Sequence, residues 1–186
     1  MMDESRPCAM LASRPPRSSR ALRSAVLALA LFGCAGSPRP EPRSSFVGQA
    51  VALSAPDLEG REVDIGADRG KVRVVDFWAT WCEPCVEALP LLDGYARELG
   101  PRGLSVYGIT IDEDLSQVRD FLERTPVGFP ILRDQGAVRM QRYDVRIMPV
   151  TLIVDRRGVI RHVHQGWSEA RAAKQRKEIE ALLEER

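Results

Sequence analysis

The order of apolar and polar positions predicts a repeating strand and helix pattern in the second half of the chain. Residues 71–79 are mostly β-branched and aromatic, which is typical of a buried central strand. Apolar residues then recur at helical spacing over residues 86–99, and Gly100-Pro101 ends that helix. A second apolar run over residues 103–111 predicts another buried strand, so the three elements should form a βαβ unit.

Further along the chain the pattern predicts an amphipathic helix over residues 114–124, a loop containing Pro and Gly over residues 126–134 and a short helix over residues 137–143. A hairpin follows, with strands at residues 150–154 and 159–163, and a terminal helix occupies residues 168–186. Ser168 is placed to cap the terminal helix. The charged run over residues 171–177 of that helix is expected to be a solvated face.

Composition and charge then exclude several classes of protein. The 186 residues, 44% of them apolar, suit one domain of ordinary size and not a large multidomain enzyme. The formal net charge is +1, but the first 34 residues hold five Arg against one Asp and one Glu, so the remainder is at −2. Such a domain lacks the basic surface that binds nucleic acid, and the longest apolar stretch is too short to span a bilayer.

The first 34 residues have the order of an export signal. Arginines up to Arg23 precede the apolar residues 25–32, and Gly33-Cys34 follows. The end of this segment resembles a bacterial lipobox, in which the cut precedes a cysteine that carries a lipid. We therefore expect residues 1–33 to be a lipoprotein signal peptide and Cys34 to be lipidated. The alternative, a buried helix with an incidental cysteine, would need polar residues on one face, and residues 25–32 have none.

Residues 34–45 contain three prolines and no large apolar side chain, so they cannot form a core. We expect an extended tether of roughly 3.1 Å per residue. The folded domain should then comprise residues 46–186, held at the outer side of a membrane through Cys34.

Two of the four cysteines remain in that domain, and both lie in the sequence Trp81-Cys82-Glu83-Pro84-Cys85. A disulfide across so short a loop restricts little chain entropy, so a purely structural bridge is a poor explanation for the pair. A zinc site would need further ligands.

The chain has two histidines, His162 and His164. Alternation places both on one face of a strand, which we expect to be a solvated surface rather than a metal site.

Cys82 follows the central strand closely and should lie at the N-terminus of the next helix, with Pro84 in the first turn. Free backbone N–H groups and the helix dipole stabilise a thiolate at that place. Cys85, one turn further in, is expected to be the less exposed thiol. The pattern predicts a pair that exchanges disulfides.

Residues 75–85 resemble the active-site segment of the thioredoxin superfamily, in particular its exported TlpA/ResA-like branch. The resemblance extends over residues 46–186 and includes Met148-Pro149, similar to the cis-proline loop of that family. It implies a thioredoxin-like α/β fold, with a central mixed sheet flanked by helices and an N-terminal β extension. It implies no cofactor beyond the cysteines.

The same resemblance implies roles for individual residues. Cys82 would attack a substrate disulfide and Cys85 would resolve the mixed disulfide. Pro149 would belong to the catalytic group by ordering the loop that faces the pair, and Trp81, Met148 and Pro149 would bind the substrate. The expected substrates are disulfides of exported proteins, such as apocytochrome c or copper-site cysteines. A membrane electron carrier of the CcdA/DsbD kind would recharge the pair, and the protein is expected to be a monomer outside the cytoplasm.

One position departs from the branch. Its members commonly carry an acid three residues after the second cysteine, where this chain has Ala88, and Glu87 is rotated about 100° around the helix. The branch often has Asn where this chain has Asp76. The proton-handling carboxylate is therefore expected at Asp76, with a pKa raised by burial; alternatively, Asp76 is a neutral, satisfied polar residue.

Two other functions stay open. The two thiols would suit copper(I), which makes a metal-delivery module an alternative. A peroxidase of the peroxiredoxin type would need Thr three residues before the reactive cysteine and Pro three residues before that Thr. This chain has Ala79 and Asp76 at those positions, which disfavours a peroxidase.

Overall fold

The computed structural model describes residues 45–143 and 145–185. The predicted signal peptide, Cys34 and the tether as far as residue 44 lie outside the described residues. The strands are β1 (Ser54–Pro56), β2 (Glu62–Asp64), β3 (Val72–Trp78), β4 (Leu104–Thr110), β5 (Ile131–Arg133), β6 (Val150–Val154) and β7 (Ile160–Gln165). The α-helices are α1 (Glu83–Leu99), α2 (Leu115–Arg124), α3 (Val138–Arg142) and α4 (Glu169–Glu184).

Five of these strands form one mixed sheet in the order β5-β4-β3-β6-β7. Strands β3, β4 and β5 are parallel, whereas β6 runs antiparallel to both β3 and β7. Every residue of β3 is buried, as the continuous apolar run predicts for the centre of a sheet. The predicted βαβ unit is β3-α1-β4.

Each face of the sheet is covered by a separate apolar cluster. On one face, Val74 and Trp78 of β3 pack with apolar residues of α1, α2 and α4. On the other face, Val75 and Phe77 pack with the segment before β3 and with Tyr143, which follows α3. Alternation along β3 therefore decides which helices each side chain meets.

The N-terminal β extension is a hairpin of β1 and β2, paired antiparallel in a sheet of their own. Isolated bridges join Ala50 to Val159 and Asp57 to Leu132. Within residues 45–143 and 145–185, no helix has both the length and the apolar character needed to cross a membrane.

Two sequence expectations differ from the structure. Residues 126–134 were expected to be a loop, but Ile131–Arg133 forms β5, which pairs parallel to the end of β4. A run of three residues is too short to show periodicity. The second hairpin strand was expected to end at residue 163 and continues to Gln165.

Candidate active site

The end of β3 places the cysteine pair at the N-terminus of α1. Cys82 is the N-cap residue, its backbone N–H bonds the carbonyl of Ala79 at 3.2 Å, and its carbonyl accepts from Val86 at 3.1 Å. Pro84 lies in the first turn, where no partner for a backbone N–H is needed. The predicted position of the pair is confirmed.

Cys82 and Cys85 are joined by a disulfide with an S–S distance of 2.04 Å. Cys82 is 7% exposed and Cys85 is completely buried. An incoming sulfur can therefore approach Cys82 more readily than Cys85. When the bond is reduced, the free N–H groups of the first turn of α1 stabilise a thiolate at Cys82.

The turn between β3 and α1 is held by Asp112, which follows β4 and is buried. Its carboxylate accepts hydrogen bonds from the backbone N–H of Thr80 at 2.9 Å and from the Thr80 hydroxyl at 2.8 Å. Thr110 donates its hydroxyl to the same carboxylate at 2.6 Å. Asp112 thus fixes the backbone two residues before Cys82. Nothing in the local sequence pattern links Asp112 to the cysteines, so its place in the site is not predicted from the sequence.

The Pro149 loop lies at the same edge of the sheet as the cysteine pair. Because β6 is antiparallel to β3, with Val150 opposite Phe77, the start of β6 lies beside the end of β3. The Met148-Pro149 peptide bond is cis, and the carbonyl of Pro149 accepts from the Gly166 N–H at 2.7 Å. Pro149 is buried and Met148 is half-buried.

Two large apolar side chains at this edge are exposed. Trp81, next to Cys82, is 67% exposed, and Ile147, next to Met148, is 61% exposed. Apolar side chains of this size are usually buried, so their exposure beside a reactive pair indicates a contact surface. Trp81 is predicted from the sequence because it adjoins Cys82. Ile147 is not, because only the fold brings residue 147 to the edge that holds Cys82.

Asp76 is completely buried in the middle of β3. It alternates with Val74 and Trp78, so its side chain lies on the sheet face covered by α1, the helix that carries Cys85. Thr151 donates its hydroxyl to Asp76 Oδ1 at 2.7 Å, and Oδ2 has no hydrogen-bond partner among the described residues. Burial raises the pKa of Asp76 to about 7, while the hydrogen bond from Thr151 acts in the opposite direction.

The position where the branch commonly has an acid is apolar in this protein. Ala88 is buried on α1, and Glu87 beside it is exposed. Asp76 is a buried carboxyl group on the sheet face that α1 covers, and its role in proton transfer stays a prediction.

The expectation of a solvated His pair is wrong for His164, which is buried beneath α4. Its Nε2 lies 2.5 Å from Glu178 Oε2, and His162 Nδ1 lies 3.3 Å from Oε1 of the same residue. Glu178 belongs to α4, which covers this face of β7. Among residues 45–143 and 145–185, no group of three or more His, Cys, Asp or Glu side chains has the arrangement of a metal site.

The comparisons with known proteins agree with this geometry. Residues 47–163 match the AhpC/TSA family. A thiol-disulfide oxidoreductase ResA from Geobacillus thermodenitrificans is 33% identical over 126 residues, which cover 63% of this chain and 70% of that protein. The ResA of Halalkalibacterium halodurans is 30% identical over 118 residues, covering 63% and 67% respectively.

Among solved structures, a candidate thiol:disulfide interchange protein DsbE from Chlorobium tepidum is similar at a TM-score of 0.70 and 25% identity. The match covers 76% of this chain and 99% of that one. The fold is thus the predicted thioredoxin-like fold. The family match spans more than half of the residues, and the similar ResA proteins are named thiol-disulfide oxidoreductases. The chain therefore belongs to the AhpC/TSA family, as a thiol-disulfide oxidoreductase of the ResA/DsbE type.

Proposed function

We propose that this oxidoreductase works as a reductant of disulfides in exported proteins, outside the cytoplasm and anchored to a membrane by lipid on Cys34. The observation that carries the proposal is the asymmetric pair at the start of α1, with Cys82 at the helix N-cap and Cys85 buried behind it. The apolar surface around Trp81 supports a protein substrate, because a small thiol would not need it.

The reaction proceeds by two thiolate exchanges. The Cys82 thiolate attacks one sulfur of the substrate disulfide, and the other substrate sulfur leaves as a thiolate that takes a proton from solvent. Cys85 then gives its proton to Asp76 and attacks the Cys82 sulfur. The second substrate sulfur leaves, and the protein keeps the disulfide. Two electrons pass from the cysteine pair to the substrate.

Trp81, Met148 and Pro149 form the proposed docking surface. Pro149 has no N–H, so its loop offers an approaching thiolate no competing donor at that residue. Extended substrate backbone would lie against the Met148-Pro149 loop that precedes β6, and Trp81 would provide apolar contact beside Cys82.

Reduction of insulin by the prereduced protein tests the function directly. We expect precipitation of the insulin B chain with continuous turnover when a dithiol recharges the pair. Copper(I) binding at one ion per protein without insulin reduction would favour the metal-delivery module. Consumption of hydroperoxide without insulin reduction would favour a peroxidase. In the cell, a membrane carrier of the CcdA/DsbD kind would replace the dithiol, and the protein would act as a monomer.

The reduction potential of the pair is expected to lie below roughly −200 mV, nearer that of thioredoxin than that of DsbA. Glu83, the first residue of α1, is exposed and places a negative charge beside Cys82. That charge disfavours the Cys82 thiolate and with it the reduced form. Equilibration with glutathione measures the potential, and Glu83→Gln should raise it. A value near −120 mV would reverse the proposed direction of electron flow.

Membrane attachment through Cys34 is tested by fractionating cells that express the full chain. We expect wild-type protein in the membrane fraction and Cys34→Ala protein outside it, because lipid on that thiol is the proposed anchor. Cys8→Ala is the matched control and should stay with the membranes. A membrane-bound Cys34→Ala variant would contradict lipid anchoring at this residue.

A further inference from the structure

Three buried polar side chains from three elements form one hydrogen-bonded series beneath α4. Gln175 of α4 donates from Nε2 to the Thr151 hydroxyl at 3.1 Å. Thr151 of β6 donates in turn to Asp76 Oδ1 at 2.7 Å. All three residues are at least 97% buried. The series joins the terminal helix to the central strand.

The donors in this series fix the direction of the hydrogen bonds. An amide nitrogen can only donate, so the Thr151 oxygen accepts from Gln175 and its single proton is committed to Asp76. Asp76 Oδ1 is therefore an acceptor in either protonation state of the carboxyl group. Oδ2 has no hydrogen-bond partner among the described residues, and it is the oxygen that can take a proton.

Among the residues that the structure describes, no charged group contributes to the pKa of Asp76 in place of this hydrogen bond. Gly108 lies opposite Asp76 on β4, and the residues that α1 and its N-cap contribute to the adjoining cluster are uncharged. Titratable groups on the neighbouring elements are His164, the register partner of Thr151 on β7, and Glu178 of α4. These two bond each other. Burial and the Thr151 hydroxyl are the two causes that set the pKa of Asp76.

We propose that Thr151 and Gln175 are positioning residues for proton transfer: they hold Asp76 Oδ1 as a permanent acceptor and leave Oδ2 to take the proton that Cys85 releases. This inference rests on the proposed role of Asp76 in the exchange reaction. Thr151 stabilises the carboxylate form directly. Gln175 acts through Thr151. Its hydrogen bond to the Thr151 oxygen restricts rotation of the hydroxyl and keeps the hydroxyl proton directed at Asp76.

The experiment has two arms: a titration of Asp76, which does not depend on enzyme activity, and a measurement of the rate of insulin reduction. In the first, the carboxyl carbon of Asp76 is titrated by NMR in the oxidised full-length protein. Thr151→Val should raise the Asp76 pKa by about one unit, because a hydrogen bond to a charged group is lost while side-chain size is kept. Gln175→Met should raise it by less. Thr151→Ser, which keeps the hydroxyl, is the matched control and should restore the wild-type titration.

In the second arm, insulin reduction by each variant is divided by the wild-type rate at each pH. For Thr151→Val we expect a loss of about fivefold at pH 7 that disappears by about pH 9, since a group with a higher pKa is ionised only at higher pH. Thermal unfolding of each variant confirms that it is folded, and Gln175→Met provides the test if Thr151→Val is not.

Two results would overturn the proposal. One is an Asp76 pKa that stays at its wild-type value in both Thr151→Val and Gln175→Met. The other is a ratio of the Thr151→Val rate to the wild-type rate of insulin reduction that is the same at every pH. Failure of the proposed function looks different, because wild-type protein would then not reduce insulin at all. The titration would still decide whether Thr151 and Gln175 hold Oδ1 as an acceptor.

Discussion

A Cys85→Ser variant is expected to accumulate as a mixed disulfide with its substrate on Cys82, and its steady-state insulin reduction should fall by about 10³-fold or more. Cys82 can still attack, because it is the more exposed sulfur at the N-terminus of α1. The second exchange loses its internal nucleophile, and an external thiol cannot match the effective concentration of a residue held three positions away.

The measurement is non-reducing electrophoresis of the variant after acid quenching, with mass spectrometry of the trapped species. Cys82→Ser is the matched control, since Cys85 is completely buried and should capture almost no substrate. Both variants lose the same disulfide, so a general effect of that loss would appear in each. Trapping by Cys82→Ser in place of Cys85→Ser would mean that the two roles are exchanged.

The sequence predicts the part of this site whose residues are close together in the chain. A buried strand, a short turn and a helix with Pro84 in its first turn are sufficient to place Cys82 at the helix N-terminus, and the structure agrees. The helix period also predicts that Glu87 turns toward solvent, and its side chain is exposed. These inferences need only the geometry of one strand and one helix.

Contacts between distant residues could not be predicted in the same way. Gln175 lies in a charged run that was expected to be solvated, and its burial depends on how α4 is oriented over β6 and β7. His164 is buried for the same reason. Thr151 faces Asp76 because β6 pairs with β3 in one register, and a shift of one residue would place it on the opposite face. The sequence pattern does not specify that register.

Asp76→Asn is expected to slow insulin reduction by up to about 10²-fold, with a loss that varies between pH 6 and pH 9. The reduction step that suffers is the attack by Cys85, which needs a base once its thiol is buried. Burial raises the pKa of Asp76 to about 7, so the carboxyl can accept and return a proton near neutrality. Asn can accept the hydrogen bond from Thr151 but cannot carry the proton.

Stopped-flow reduction of a model disulfide across that pH range measures the loss. Glu87→Gln is the control, because Glu87 is exposed on α1 and should contribute little. Rates for Asp76→Asn that match wild type at every pH would make Asp76 a structural polar residue, as the alternative interpretation holds.

Asp76→Asn should also stabilise the oxidised protein against unfolding, and the gain in unfolding free energy should depend on pH. Asp76 has a pKa of about 7 when folded and 3.8 as its ordinary value, so between these values the folded protein keeps a proton that the unfolded chain has lost. Wild-type stability therefore falls as pH rises through this window, whereas Asn has no proton to lose. The difference in unfolding free energy between Asp76→Asn and wild type should be smallest near pH 4, grow up to pH 7 and stay constant above it, at no more than about 4 kcal/mol. Urea denaturation at pH 4, 5.5, 7 and 8.5 measures it, and a difference that does not change with pH would show that Asp76 is ionised in the folded protein throughout this range.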